Sequence, residues 1–397
     1  MMSRQLVLLA RLTTGCLVAS AGVAHAQTVV RLSAEARAEA GYSQNPFSVQ
    51  AVDTSSGFAK IAVSPQAKIQ TERSVITISG LAEYQRYFRR YGDIGNYNAA
   101  LAYNGTPSDH LKTRFDIRYD SSVIGGNDQV IGAIDPDLPT PPVTSGTDLS
   151  LFGTRDRRRT ISANGNVILD LSSRDTVSVG GFYINSRYSR FAALGNNDGY
   201  GGSANYSRQV SEHLRLGLQA AIAHYDYGGL LGDTMVYTVQ PSFSATLGAN
   251  WKAEGALGVS FVDSSTTNSS TVFSGNVRLC NTTTRRTFCV NAARAVLPTG
   301  ISGTQNTTSV DANYSYRISE HSKLFGAAGY TRNDNRLSVG AQAFEFVRGS
   351  IGYSRDVRKN IQVTISGQYR KIFGGLVERG ADYGAQAGIV VRFGDRR

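Results

Sequence analysis

The chain has 397 residues, of which 18% are charged, and its formal net charge is +11. No segment after Gln27 is long and apolar enough to cross a bilayer as a helix, which needs about 20 apolar residues, so a helical membrane protein is excluded. The 42 glycines, 20 tyrosines and only 9 prolines favour a large β protein. Basic residues are spread along the chain rather than clustered with aromatic residues, which argues against nucleic acid as a partner.

The first 26 residues have the pattern of a secretory signal peptide. Arg4 and Arg11 flank an apolar stretch that ends in the A-x-A cleavage site at 24–26. The uninterrupted apolar run is too short for a transmembrane anchor. We therefore expect residues 1–26 to be removed. Residues 27–397 should form one domain, because no linker or composition shift marks a boundary.

Alternation of apolar and polar residues begins at 31–42 and is clearest at 111–120. One face of the second stretch carries Leu111, Thr113, Phe115, Ile117 and Tyr119. The other face carries Lys112, Arg114, Asp116, Arg118 and Asp120. Successive side chains of a strand point to opposite faces, so this stretch predicts an apolar outer face and a charged face that lines a lumen. Long strands with aromatic residues at their ends favour a membrane barrel over a soluble sandwich.

Short polar turns alternate with longer segments along the chain. The turns lie at 70–74, 107–110, 172–175, 211–213, 248–250, 319–322 and 355–360. The longest segments between them are 121–156 and 264–306. Short periplasmic turns and long extracellular loops are typical of bacterial outer-membrane barrels, which have an even number of strands and both termini in the periplasm.

The predicted fold class is therefore all-β: a transmembrane antiparallel up-and-down β-barrel in the outer membrane. The turns and loops predict about sixteen strands, within a range of 14–18. Their approximate positions are 30–43, 58–70, 75–88, 96–106, 110–120, 156–170, 175–188, 199–210, 213–226, 234–247, 250–263, 307–318, 323–333, 339–354, 360–371 and 381–393.

A short repeat places three histidines in equivalent turns. Residues 204–217 and 312–326 share Asn-Tyr-Ser followed by Ser-Glu-His, and 103–111 carries a diluted copy. The repeat predicts an interfacial tyrosine before each turn. It also places His110, His213 and His321 in polar turns rather than in a metal site. We expect neither a metal nor a cofactor.

The cysteines indicate an oxidising compartment. Cys16 falls within the signal peptide, where the preceding residues fit a lipoprotein signal poorly. Cys280 and Cys289 lie within 264–306, which we expect to be the longest outer loop. A disulfide between them is favoured in an exported protein and would contribute about 2–3 kcal/mol by restraining the unfolded chain. Metal binding is disfavoured because neither has a CxxC partner or a nearby histidine.

An enzymatic role is the weakest of the functions that the sequence allows. His224 lies on the lipid side at the outer end of its predicted strand, and a rim histidine beside a serine could act as a base. The sequence shows no Ser-His-acid arrangement and no G-x-S-x-G motif. We therefore expect no enzyme, with an outer-membrane rim hydrolase as the least favoured alternative.

The last predicted strand, 381–393, closes on an aromatic residue. The spacing of Gln386, Gly388, Val391 and Phe393 resembles the C-terminal signal by which the barrel assembly machinery receives its substrates. We expect this strand to pair with the first one, because closure removes sheet edges that lipid cannot satisfy. Four residues follow Phe393, so the signal would have to tolerate a short tail.

Three features resemble the β-barrel porin-2 family, whose members are often described as outer-membrane proteins of exopolysaccharide operons. They are the signal peptide, the run Gly-Tyr-Ser-Gln-Asn at 41–45 and the Val-Ser-Pro step at 63–65. The resemblance covers essentially the whole mature chain. It implies export or surface handling of exopolysaccharide, with polysaccharide and its export apparatus as partners beside outer-membrane lipid and lipopolysaccharide.

The charge of the mature chain favours a second function. Loss of Arg4 and Arg11 with the signal peptide leaves a net charge of +9. Basic side chains that line a pore favour anions, so a general or anion-preferring diffusion porin is the alternative to exopolysaccharide export. The same charges could instead pair across the lumen or face anionic lipopolysaccharide.

Overall fold

A computed structural model describes residues 28–50, 53–125, 152–190, 196–227, 232–265, 267–299, 303–334, 343–374 and 379–394. The predicted signal peptide and the centre of the segment 121–156 lie outside these residues. Within the described ranges, no helix is long and apolar enough to span a membrane. The strands β1 to β18 are, in order, Val29–Ser43, Ser56–Gln70, Ser74–Tyr87, Asp93–Ser108, Leu111–Val123, Arg157–Asp170, Asp175–Tyr188, Asn197–Ser211, Leu214–Tyr227, Gly232–Leu247, Trp251–Ser264, Thr267–Thr282, Arg286–Thr299, Gly303–Ser319, Ser322–Asp334, Phe344–Arg358, Ile361–Phe373 and Asp382–Gly394.

The strands form one closed antiparallel barrel. Each strand pairs with its sequence neighbours, and β1 also pairs with β18. In that closing pair Ala34 lies opposite Phe393 and Ser43 lies opposite Gly384. The predicted pairing of the first and last strands is therefore confirmed. Closure leaves no free sheet edge, which is the condition for a sheet to span a bilayer.

The outer surface carries an apolar band bounded by aromatic residues. Exposed apolar side chains of the band include Leu32, Ile61, Ile78, Leu101, Ile117, Val167, Val179, Leu218, Val239, Leu257, Phe273, Val310, Ile351, Ile365 and Ile389. Exposed aromatic side chains near the two ends of the strands include Tyr42, Tyr84, Tyr97, Tyr183, Tyr200, Tyr237 and Tyr383 at one end and Tyr206, Trp251, Tyr314 and Phe393 at the other. An outward apolar band between two aromatic girdles is the outer-membrane architecture. The protein is thus a β-barrel of the bacterial outer membrane.

The two ends of the barrel differ in the length of their connections. Eight short connections lie at one end, at 71–73, 109–110, 171–174, 212–213, 248–250, 283–285, 320–321 and 359–360. The other end carries the long connections, up to 124–156, together with two short ones at 265–266 and 300–302. The short end is the periplasmic one, and both termini of the barrel lie there. The carbonyl oxygens of His110, His213 and His321 each accept a backbone N–H at 2.8 or 2.9 Å from the second strand after the turn, from Asp170 of β6, Thr246 of β10 and Asp356 of β16 respectively, which confirms that the three turns are equivalent.

The barrel has two strands more than the sixteen predicted, within the range of 14–18. The additional strands β12 and β13 occupy most of 264–306, which was predicted as an outer loop. Their connection lies at the periplasmic end, where the amide of Thr282 donates to the carbonyl of Asn250 at 2.9 Å. The physical reason for the difference is composition. Serine, threonine and asparagine occur on both faces of β12, and the turn at 283–285 contains no glycine or proline.

The disulfide lies in this hairpin rather than in an outer loop. Cys280 and Cys289 are directly opposite each other in the β12–β13 register, and the structure contains the expected bond between them. The predicted position in an extracellular loop was wrong, because the two cysteines lie within a few residues of the periplasmic turn. They share the lumen side of the hairpin with Arg278, since Arg278 is two residues from Cys280 on the same strand.

Candidate functional site in the lumen

A segment of the first outer connection folds into the barrel. Phe47 is fully buried, and Asn45 and Ser48 are 2% exposed. The segment, residues 45–49, is closed by its own hydrogen bonds. The Ser48 amide donates to the Asn45 carbonyl at 3.0 Å, and the Val49 amide donates to Asn45 Oδ1 at 2.9 Å. Ser48 has a φ of 54°, which the tight turn requires. We call residues 45–49 the inner segment.

A buried ion pair on the barrel wall anchors the inner segment. Arg370 on β17 and Asp382 on β18 are 1% and 0% exposed, and Arg370 Nε donates to Asp382 Oδ2 at 2.9 Å. The second carboxylate oxygen accepts the Asn45 amide at 2.7 Å and the Ser43 hydroxyl at 2.5 Å. The guanidinium also donates to the Pro46 carbonyl. Because both charges are buried, they need these additional hydrogen bonds to be stable.

The same guanidinium ties the inner segment to a second inward-folded piece of chain. Arg370 Nη1 donates to the carbonyl of Gly125 at 2.9 Å. Gly125 is the second residue of the long connection between β5 and β6, and its φ of 83° suits glycine. This site was not predicted from the sequence, because Arg370 lies more than 240 positions from both partners and no short motif links them.

Aromatic side chains surround the inner segment. Phe47 packs in one buried cluster with Phe58, Tyr87 and Ile94. The guanidinium of Arg155 lies 5.1 Å from the centre of the Phe47 ring and 5.2 Å from that of Tyr91, within the range of a cation–π contact. Burial lowers the pKa of Arg155 and raises the pKa of the Tyr91 hydroxyl.

The other end of the β5–β6 connection reaches a distant part of the wall. Phe152 meets Phe346 of β16 in an edge-to-face contact with ring centres 5.4 Å apart. Both belong to a buried cluster with Ile124, Tyr188 and Ile372. Tyr188 is on β7, so this cluster joins strands that are far apart around the barrel. The ends of this connection therefore lie inside the outer part of the lumen.

The outer end of the β13–β14 hairpin also turns inward. Val296 of β13 packs in a buried cluster with Tyr225 and Tyr227 of β9 and with other side chains of β7, β10 and β11. The hydroxyl groups of Tyr227 and Thr304 are 3.3 Å apart, although β9 and β14 are five strands apart in the sheet. The three inward-folded pieces together narrow the extracellular end of the lumen.

On the periplasmic side of this narrowing, ion pairs cover one side of the lumen wall. Lys60 on β2 lies between Glu39 on β1, at 2.7 Å, and Glu83 on β3, at 3.8 Å. All three side chains are at most 8% exposed. Further towards the periplasm, Arg392 lies 3.6 Å from Glu35. The acidic groups on this side of the wall therefore have basic partners.

The predicted lumen charges of 111–120 lie on the opposite face of β5 from the lipid-exposed Phe115 and Ile117. Lys112 forms an ion pair with Asp170 at 3.0 Å. The side-chain amide of Asn164 donates a hydrogen bond to Asp116 at 3.0 Å, and the Ser122 hydroxyl donates one to Asp120 at 2.8 Å. Arg114 is exposed and Arg118 is half-buried. Neither of these two has an ion-pair partner among the described residues.

The predicted assembly residues all lie in β18 against β1. Gln386 and Gly388 are on the lumen side, and Phe393 is 53% exposed on the lipid side. A Cβ atom at Gly388 would lie 2.5 Å from Cγ of Glu39, so glycine allows Glu39 to pack against β18 and reach its ion pair. Their role as a signal to the assembly machinery stays a prediction.

His224 lies on the outer wall of the barrel, as the alternation of residues along its predicted strand indicates. Its ring contacts Tyr200 at 5.0 Å between centres, and Nε2 is 3.8 Å from a carboxylate oxygen of Asp233. No serine is hydrogen-bonded to His224 in the described part of the chain. In that part, no group of three or more His, Cys, Asp or Glu side chains is arranged to hold a metal.

Comparison with known proteins places the chain near solved porins without identifying a family. No family model matches the chain, and no curated protein matches it. A BenF-like porin from Pseudomonas fluorescens is 10% identical with a TM-score of 0.49, covering 92% of this chain and 99% of its own. Pseudomonas aeruginosa OccK2 (OpdF), solved with glucuronate, is 12% identical with a TM-score of 0.48, covering 92% and 98%. At these values the likeness concerns the barrel architecture and says nothing about the solute.

Proposed function

We propose that the protein is a passive channel for small polar solutes with a preference for anions. The supporting observation is the balance of charges on the lumen face. Among the described residues, the acidic side chains without an ion pair on this face are Asp116 and Asp120. Basic side chains without an ion pair there include Lys68, Arg114, Arg118, Arg215 and Lys323. Uncompensated basic groups along a pore lower the energy of an anion within it.

Exopolysaccharide export is the less favoured role. It comes from the resemblance to the β-barrel porin-2 family, which no family model supports. The inner segment and the ends of the β5–β6 connection lie in the outer part of the lumen, where a polymer would have to leave. The rim hydrolase is disfavoured because His224 faces Tyr200 and Asp233 rather than a serine.

Ion selectivity in planar bilayers tests the proposal. The purified barrel should conduct, and its reversal potential in a salt gradient should show anion preference. Arg118→Gln should shift that potential towards cation preference, because it removes an unpaired lumen charge. Arg86→Gln is the matched control, since it makes the same charge change at a side chain 67% exposed on the outer wall.

Two outcomes would overturn the proposal. One is cation preference of the wild-type channel, and the other is an equal shift in Arg86→Gln and Arg118→Gln. Absence of conductance, together with loss of secreted polysaccharide on gene deletion, would support export instead.

A further inference from the structure

Three arginines lie together on the outer wall of the barrel, on β6 and β7. Arg159 is directly opposite Arg187 in the β6–β7 register. Arg157 lies two residues from Arg159 and therefore points to the same side. That side is the lipid-facing one, because Ile161, two residues further along β6, is 46% exposed. We call Arg157, Arg159 and Arg187 the arginine patch.

The patch lies just above the apolar band at the extracellular end. Arg159 is two residues beyond Ile161, which places it about 7 Å further along the strand. Arg187 is four residues beyond Tyr183, a girdle tyrosine that is 43% exposed. Aromatic girdles mark the level of the lipid headgroups. The arginine patch therefore lies at or just outside the headgroup layer of the outer leaflet.

The patch is arranged for a ligand that carries negative charge. Like charges directly opposite each other on adjacent strands destabilise a sheet, and Arg159 has no ion-pair partner among the described residues. Arg157 is held in place, with Nη2 donating to the Gly95 carbonyl at 2.7 Å and Nη1 donating to the Ser121 hydroxyl at 3.1 Å. An anion between the guanidinium groups would offset their repulsion.

The positive charge of the arginine patch does not continue onto the neighbouring strands. Arg187 forms an ion pair with Asp198 of β8 at 2.7 Å, with its side chain still 42% exposed. Beyond it, Asp198 is opposite Asp226 of β9, and Asp226 is opposite Asp233 of β10. The outer wall thus changes from basic to acidic at β8. A general attraction to anionic lipid would not need such a boundary.

We propose that the arginine patch binds phosphate groups of lipopolysaccharide in the outer leaflet. Guanidinium groups bind phosphate with paired, charge-assisted hydrogen bonds. The patch is at the end of the barrel with the long connections, which faces the outside of the cell. Phosphates of this glycolipid belong to the headgroup layer of the same leaflet, and Arg159 and Arg187 are directly opposite each other, so that one phosphate could contact both.

Titration of the delipidated, detergent-purified barrel with purified lipopolysaccharide tests this site. Arg159→Gln should weaken binding about fivefold, the effect expected for one basic residue at an anionic lipid surface. Arg86→Gln, an equal change of charge on the outer wall of β3, should weaken binding less, because Arg86 has an ion-pair partner in Asp93 at 3.9 Å and lies outside the patch. Lipopolysaccharide without its phosphate groups should bind wild type as weakly as the intact form binds Arg159→Gln.

The proposal is wrong if Arg159→Gln binds as tightly as wild type, or if removal of the phosphates has no effect. Equal binding of phosphatidylglycerol vesicles and lipopolysaccharide would also contradict it, because the site would then recognise any anionic headgroup. The result is independent of the channel function, since Arg159 is outside the lumen and ion selectivity can be measured in the same variant.

Discussion

Two pairs of neighbouring strands in this barrel, β1 with β2 and β12 with β13, are stabilised by different interactions. β1 and β2 pair over fifteen residues, and a buried ion pair joins β1 to β2 while a half-buried one joins it to β18. β12 and β13 pair over only eight residues, although they contain sixteen and fourteen. The second contact carries the disulfide. A barrel can thus be closed by a long register with ion pairs or by a short register with a covalent bond.

The short contact follows from the path of the β13–β14 hairpin. Its pairing with β12 ends at Gly275 and Arg294. Beyond that point Val296 turns towards Tyr227 and joins the cluster inside the barrel. Val296 and Thr304 on the two sides of this hairpin narrow the lumen, and as a consequence the outer half of β12 has no β13 partner. Cys280–Cys289 restrains the part of the contact that is left.

The largest expected effect is on the long contact. Lys60→Met leaves the carboxylates of Glu39 and Glu83 buried without their common cation. Removal of one partner of a buried charge cluster costs about 3–5 kcal/mol. We expect the free energy of unfolding in urea, measured on the barrel refolded into lipid vesicles, to fall by that amount.

Lys252→Met is the matched control near the short contact. Lys252 pairs with Glu254 at 2.8 Å, but its side chain is 61% exposed. An exposed ion pair contributes about 0–1 kcal/mol, so the change should be small. Equal effects of the two substitutions would show that burial does not distinguish the two regions.

An intermediate effect is expected at the disulfide. Cys280→Ser/Cys289→Ser should lower the free energy of unfolding by about 2–3 kcal/mol, because the unfolded chain gains freedom when the loop is opened. A reducing agent should lower the stability of wild type by the same amount and leave the double variant unchanged. Identical unfolding curves for both proteins would mean that strand pairing alone holds this contact.

Much of the barrel could be predicted from the sequence, because apolar and polar residues alternate along a strand that has lipid on one face and the lumen on the other. The predicted strand 175–188 agrees with β7 at both ends. The seven predicted turns are all present, and so is the closing pair of strands. These features depend on local chemistry: side-chain direction within a strand and polar residues in a turn.

The rest depends on contacts that no local pattern records. β12 was missed because Ser270, Ser274 and Asn276 give its lumen face little contrast with Thr271 on its lipid face. The Arg370–Asp382 site was missed because its third partner, Asn45, is over 320 positions away. Asn-Pro at 45–46 indicates a turn, but the direction of that turn, into the lumen, is set by the buried charges that receive it.

The smallest change in stability is expected at Phe393, where assembly should be affected instead. Its side chain is 53% exposed to lipid, so truncation removes little packing from the folded barrel. Phe393→Ala should therefore leave the urea midpoint of the refolded barrel nearly unchanged and reduce the amount of folded barrel in the outer membranes of cells. Deletion of residues 394–397 should reduce the amount of folded barrel less.

Phe273→Ala on β12 is the control, because Phe273 is 55% exposed to lipid and lies far from the terminus. If the two alanine variants assemble equally well, the terminal phenylalanine is an ordinary lipid-facing residue. If only Phe393→Ala accumulates unassembled, its position in the closing strand is recognised.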